Sequence, residues 1–412
     1  MVTFDVLLNI KCIEVEEMKI TEQGDIMMLV RSTVNGTNCH KCGKWITKPY
    51  GSGREIQLQH LSIFGRKTFI VIIPQRYICD YCDDLPTTTQ QAEWYNKRSP
   101  HTKCYEEHIL LNIINSTVMD VSIKEDIGYE SIMGIIDRYI SNEVEWRTIN
   151  NLKIIGIDEI SLKKGHKDFA TIITGYADEQ LTILGVIKGR KKDDIKAFLS
   201  SIPSKLRKKV KSIATDMYEG YVNAAKEIFG SRIKIVIDRF HVAKLYRKGL
   251  EQVRKKEMKR LKDELSKDEY DKFKGIMWLL RKRENKLTAE EKKLLNDLFV
   301  YSPIIGLAYA LSNELTNIFD KNINKYKAKN ELKDWKQKVI ESGLTCFDKF
   351  ISTLDEWMEE ITNYFINRQT SGFVEGFNNK IKVIKRRCYG ILNHKHLFQR
   401  IYLDVEGYAL FA

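Results

Sequence analysis

The stretch Lys153–Ser161, KIIGIDEIS, limits the fold of this chain more than any other. An apolar run containing Gly156 leads to Asp158, which reads as a short buried strand delivering one carboxylate to its C-terminal edge. Side chains alternate along a strand, so Asp158 and Glu159 are expected on opposite faces. An acid at a strand end is often only a turn residue, but here the pattern recurs. Lys211–Tyr218, KSIATDMY, brings Asp216 to the end of a second apolar strand. Thr370–Arg387, TSGFVEGFNNKIKVIKRR, puts Glu375 near the start of a basic amphipathic helix. Two strand aspartates and a helix glutamate are able to hold two divalent metals, an arrangement suited to phosphodiester chemistry.

The segments around these acids predict an α/β fold. Asp168–Ala177 and Leu181–Lys188 extend the first strand into a three-strand meander. The basic run Lys188–Lys192 leads into a helix over Lys191–Ser201. A strand at Val210–Thr215, a helix at Tyr218–Phe229, a strand at Ile233–Ile237 and a helix from His241 follow. Three antiparallel strands and then alternating helices and strands is the order of a ribonuclease H-like fold. Its first and fourth strands are neighbours, which would set Asp158 beside Asp216. The fifth strand ends in Asp238-Arg-Phe-His241. Asp238 is either a rival to Glu375 as third carboxylate, a cap for the next helix, or, with His241, a support behind the metal ligands.

Upstream, residues 1–38 carry two alternating runs that predict a small antiparallel sheet. Residues 39–95 contain Cys39-His-Lys-Cys42 and Cys79-Asp-Tyr-Cys82, with strand-like runs between. Paired knuckles of this spacing present four thiolates to one structural zinc. The chain shows no secretion signal, which disfavours disulfides. Cys12, Cys104, Cys346 and Cys388 are scattered and read as small buried side chains. Residues 103–147 show three helical runs broken at Gly128, the layout of a helix-turn-helix, with Tyr129, Glu130 and Ser131 as candidate base-reading positions.

Residues 151–262 form the first part of the core, and 263–366 read as a charged helical insertion. Its Trp278, Trp335 and Trp357 are expected in the core, with stacking on a displaced base as the alternative for one of them. Residues 367–412 return to the core. There Glu375, Asn379, Lys382 and Arg386 follow helical spacing and are expected on one face, with Lys380, Lys385 and Arg387 widening a DNA-contacting stripe. Sixty-eight Lys and Arg against 55 Asp and Glu give a net charge of +13, which favours a polyanionic partner. No membrane span is expected, and the chain reads as cytoplasmic.

The ordered set CHKC…CDYC, helix-turn-helix, GIDEIS, ATDMYEGY, DRFHVAK, helical insert and TSGFVEGFNNKIK resembles the DDE transposases of the bacterial ISL-three insertion-sequence family. The resemblance spans essentially the whole chain. It implies a ribonuclease H-like catalytic core with Asp158, Asp216 and Glu375 as triad, and two Mg2+ ions per active site. It also implies cleavage at insertion-sequence ends and strand transfer into target DNA by a nucleoid-associated dimer or larger assembly. A regulator that binds DNA without cutting, or a nuclease without strand transfer, remains the alternative.

Overall fold

In the computed structural model, residues 8, 10–162, 169–366, 368–388, 391 and 393–412 are described, without the side chains of 369–375. They fall into two units, Met1–Ile140 with Leu403–Ala412, and Ser141–Tyr402.

In the first unit, β1 (Ile13–Ile20) and β2 (Ile26–Ser32) form an antiparallel hairpin. Alternation along β2 buries Ile26, Met28 and Val30 on one face. The short strands β3 (Thr37–Asn38), β4 (Trp45–Ile46) and β5 (Pro49–Ser52) follow. Next come β6 (Ile56–Ile63), β7 (Arg66–Ile72), β8 (Gln75–Ile78) and β9 (Thr87–Thr89). The runs between the cysteine knuckles join the N-terminal hairpin in one sheet, ordered β1-β2-β7-β6, with β7 parallel to β2. β3-β4 and β5-β8-β9 make two small separate sheets around the cysteines.

Three helices follow: α1 (Lys103–Ile113), α2 (Val118–Glu125) and α3 (Tyr129–Tyr139). Thr102 and Thr117 cap α1 and α2 by accepting from Tyr105 N and Asp120 N. Glu106, fully buried on α1, is bound by Arg138 of α3 at 2.7 Å, Ser99 Oγ at 2.8 Å and Asn96 Nδ2 at 2.6 Å. This carboxylate ties both helices to the preceding loop. The end of the chain closes the unit, with Asp404 Oδ1 accepting from Asn115 N at 2.8 Å.

The second unit is built on β10 (Leu152–Ser161), β11 (Phe169–Ala177), β12 (Gln180–Lys188), β13 (Ser212–Thr215) and β14 (Lys234–Ile237). Their order is β12-β11-β10-β13-β14, with β10, β13 and β14 parallel and the meander antiparallel. Asp158 does not end its strand as expected. The β10–β13 ladder stops at Ile157↔Thr215, while β10 continues beside β11 to Ser161. Asp158 and Asp216 are therefore the first residues past the parallel ladder on adjacent strands.

α4 (Lys192–Ser201), α5 (Glu219–Phe229) and α6 (Arg239–Glu264) contribute Leu199, Tyr221 and Tyr246 to the core under this sheet. Residues 263–366 contain α7 (Ala289–Tyr301), α8 (Pro303–Asp320), α9 (Lys325–Ser342) and α10 (Asp348–Glu356). This segment shares the core of the sheet. Trp335 is fully buried and donates Nε1–H to Leu311 O at 2.9 Å. Trp357 is also buried, but Trp278 departs from expectation and is 63% exposed. α11 (Gln369–Arg387) then crosses back, and α12 (His394–Phe411) ends the fold. Among the described residues no helix is long and apolar enough to cross a membrane.

Candidate active site

Asp158, Asp216, Asp238, His241 and Asn378 line one small cavity at the end of the parallel ladder. Asp158 is held on both oxygens: Glu159 N donates to Oδ1 at 2.7 Å and Asn378 Nδ2 to Oδ2 at 2.8 Å. Lys382 Nζ stands 4.0 Å from the same Oδ2. Lys385, one turn on, donates to Ser161 O. Glu159 turns to Arg190 at 3.4 Å. Asp216 is less satisfied. Its Oδ1 is buried and accepts no hydrogen bond among the described residues, and its Oδ2 lies 3.9 Å from His241 Nδ1. Burial raises the Asp216 carboxyl to about 6; His241 opposes the rise, while the charges of Asp158 and Glu159 add to it. An unpartnered buried carboxylate oxygen beside a second carboxylate fits a hard divalent cation, which supplies the missing charge and takes oxygen ligands. Asp238 caps α6, accepting from Phe240 N at 2.9 Å.

The expected face of α11 needs correction. Phe377, Asn378, Ile381 and Ile384 are buried, and they set the inward phase of the helix. Asn378 rather than Asn379 therefore meets Asp158, and Arg386 points outward beside exposed Asn379. Positions 378 and 379 are both within a turn of 375, so spacing alone did not separate them. The apolar i, i+4, i+7 pattern Phe377–Ile381–Ile384 was the signal that would have done so. Position 375 lies one turn before Asn378 on α11; the Glu375 side chain lies outside the described residues.

The four knuckle cysteines converge in the first unit, their sulfurs all within 4.8 Å of one another. Cys42–Cys79 and Cys79–Cys82 are each 3.7 Å apart. That is far longer than a disulfide, ~2.05 Å, and close to the edge of a sulfur tetrahedron around zinc, about 3.8 Å for Zn–S of ~2.3 Å. Gly43 completes the first knuckle at φ +72°, with its N–H on Cys39 O at 2.9 Å, a conformation that favours glycine. Backbone N–H groups, first that of Cys42, lower the Cys39 thiol to about 6, while burial pushes Cys82 up to about 12. Four sulfurs converging at these distances form a donor set that fits a tetrahedral metal. Cys12, expected to be buried, is exposed.

A family model described as a transposase matches residues 155–401, more than half of the chain and all of the cavity residues named above. The chain belongs to the ISL3 transposase family. The transposase for insertion sequence element IS1001 of Bordetella parapertussis is 22% identical over 385 residues, 93% of this chain and 92% of that protein. The transposase for insertion sequence element IS1557 of Mycobacterium tuberculosis is 18% identical over 347 residues, 79% and 77% of the two chains.

In this transposase the other candidate residues fall in contrasting surroundings. Tyr129, Glu130 and Ser131 are exposed at the start of α3. Residues 103–139, however, hold seven acidic residues against three basic ones. Residues 39–76 carry seven basic residues against the single acid Glu55, and Trp45 and Tyr50 there are exposed. Lys380 is exposed on α11, and Lys382, Lys385 and Arg387 are partly so.

Proposed function

We propose that this transposase is a DDE enzyme with a ribonuclease H-like core, cutting insertion-sequence ends and joining them to target DNA. The observation that carries the reading is the pair Asp158 and Asp216 just past the ladder of adjacent parallel strands, with an Asp216 oxygen that is buried and accepts no hydrogen bond among the described residues. Glu375 is assigned as third carboxylate because its position precedes, by one turn, the asparagine that touches Asp158. Asp238 is assigned a positioning role: it caps α6 and sets the first turn, which carries His241 toward Asp216.

Two Mg2+ ions held by Asp158, Asp216 and Glu375 would supply charge stabilisation for an in-line displacement at phosphorus. The chain's own groups prepare that site. Asn378 and the Glu159 amide fix the Asp158 carboxylate, so it loses little freedom on engaging a cation. Lys382 offsets carboxylate charge and faces where a phosphodiester would enter. One zinc on Cys39, Cys42, Cys79 and Cys82 is assigned a structural role, and residues 1–147 the binding of terminal inverted repeats. On DNA, a dimer or larger assembly is the expected form, acting in the bacterial cytoplasm at the nucleoid.

The test is Mg2+-dependent cleavage and strand transfer on terminal-repeat DNA by wild type and by Asp158→Asn, Asp216→Asn, Glu375→Gln and Asp238→Asn. The first three are expected to bind the ends and not cut, with Asp238→Asn milder. Binding without cutting by wild type would favour the regulator. Cutting without joining would favour a simple nuclease. Near-normal cutting by Glu375→Gln, with none by a folded Asp238→Asn, would reassign the third carboxylate.

A further inference from the structure

We infer that the cleft between α6, the one-turn helix Ile276–Leu279 and α8 binds a short unpaired stretch of the DNA strand leaving the catalytic cavity. The inference rests on the reading of that cavity as a DNA-cleavage centre. The start of α6 is a wall common to both: Asp238 and His241 line the cavity, while Phe240 and, one turn on, Lys244 line the cleft.

The chemistry of the cleft suits nucleotides. Phe240, Lys244, Arg247 and Arg254 follow steps of four, three and seven, so they form one stripe about 21 Å long at 1.5 Å per residue. Lys244, Arg247 and Lys248 are exposed, and among the described residues none has an acidic partner. Glu251, the one acid in the lining, is already engaged by Arg254 at 2.6 Å and approached by Arg281 at 3.8 Å. The floor is apolar: Ala243, Leu250, Met277 and Leu280, with the half-exposed Phe240 ring at its end. Trp278, next to Met277 in sequence and outside the lining, stands 63% exposed and is joined to the cleft through the Arg281 guanidinium, 5.6 Å from its ring centre. Cations for phosphates next to apolar and aromatic faces for bases is the composition of a single-strand site. Ser312, Asn313 and Thr316 add neutral hydrogen-bonding groups.

Size decides between strand and duplex. The cleft encloses about 490 Å³, within the ~300–1,000 Å³ range of pockets that hold a small organic molecule. That volume suits one or two nucleotides rather than the many base pairs of a duplex.

The experiment uses the full chain. Fluorescence anisotropy with a labelled twelve-nucleotide oligothymidylate, the blunt terminal-repeat duplex and dTMP as competitor is measured for wild type, Phe240→Ala, Arg247→Glu and Lys248→Glu. Cleavage of terminal-repeat duplex is followed in parallel. Each single variant lies on the surface, and circular dichroism verifies folding. Phe240→Ala is expected to weaken oligonucleotide binding about 5- to 150-fold, the range for one stacked base. Arg247→Glu and Lys248→Glu are expected to lower the logarithmic salt slope by about 0.7 for each phosphate no longer neutralised. Duplex binding is expected to be unchanged. Ultraviolet crosslinks are expected in the peptides that carry Phe240 and Trp278. Oligonucleotide binding unchanged in all three folded variants would overturn the inference, as would dTMP competing as well as the oligomer at equal concentration. Wild type that cuts duplex ends but binds no single strand would overturn the cleft while leaving the catalytic reading intact. Strand binding in the cleft without any cutting would do the reverse.

Discussion

Removing metal from the cysteine cluster should melt one part of the first unit and spare the rest. Around the cysteines, β3, β4, β5, β8 and β9 order fifteen residues. Among the described residues, the local core there has Ile46 and Tyr77 beside the cysteines. Fixing fifteen backbones costs about 15 kcal/mol at the low end of ~1 kcal/mol each. Two buried side chains return about 4 kcal/mol at ~2 kcal/mol each. The shortfall, about 11 kcal/mol, matches the ~10–16 kcal/mol that structural zinc supplies to small zinc modules. The β1-β2-β7-β6 sheet has its own core, with Ile26, Met28, Val30 and Ile70, and does not draw on the cluster. Chelation, or Cys79→Ser, should therefore abolish amide-exchange protection in 37–52 and 75–89 while leaving 13–32 and 56–72 protected. Metal analysis of the native protein should give about one zinc per chain. A demonstrably metal-free protein that keeps protection at Ile46 and Tyr77 would refute the argument, because those two buried side chains return far less than the ordering cost.

Asn378→Ala should cost about tenfold in Mg2+-dependent cleavage, the value of one hydrogen bond of roughly 1.4 kcal/mol to a charged group, with end binding retained; a change under twofold would remove Asn378 from the site. Asp216 sits at about 6 against an ordinary 3.8, so the folded protein binds more protons than the unfolded chain between those values. Metal-free stability should thus fall as pH rises from 4 to 6, and Mg2+ should restore it above pH 6. Melting curves in chelator and in Mg2+ read this, and Asp216→Asn should flatten the metal-free slope. Glu106→Ala leaves Arg138 without its buried partner and should destabilise the first unit by about 3 kcal/mol, read by urea unfolding; a loss below 1 kcal/mol would show that solvent replaces the carboxylate. A Cβ on Gly249 would lie 2.4 Å from Cys346 O, so Gly249→Ala should cost about 1–3 kcal/mol by forcing α6 off its neighbour, measured the same way.

Local pattern carried a great deal of this protein. The knuckles Cys39–Cys42 and Cys79–Cys82 announce a four-sulfur site because ligand spacing within each turn is a property of a few consecutive residues. Asp158 and Asp216 stand out because each follows an apolar run, and burial of such runs forces a strand. The order of strands and helices in 151–262 was legible for the same reason. Tertiary structure decided what depends on contacts between distant segments. The pairing of β7 with β2, the extension of β10 past Asp158 beside β11, and the choice of Asn378 over Asn379 each follow from packing that no single segment contains. Helix phase is the clearest case, since one residue is a 100° rotation and only the burial of Phe377, Ile381 and Ile384 against the sheet selects the side that faces Asp158. The cleft beside α6 was invisible in the sequence, because Phe240, Arg247, Met277, Arg281 and Thr316 meet only when the segments 276–283 and 303–320 fold back on α6.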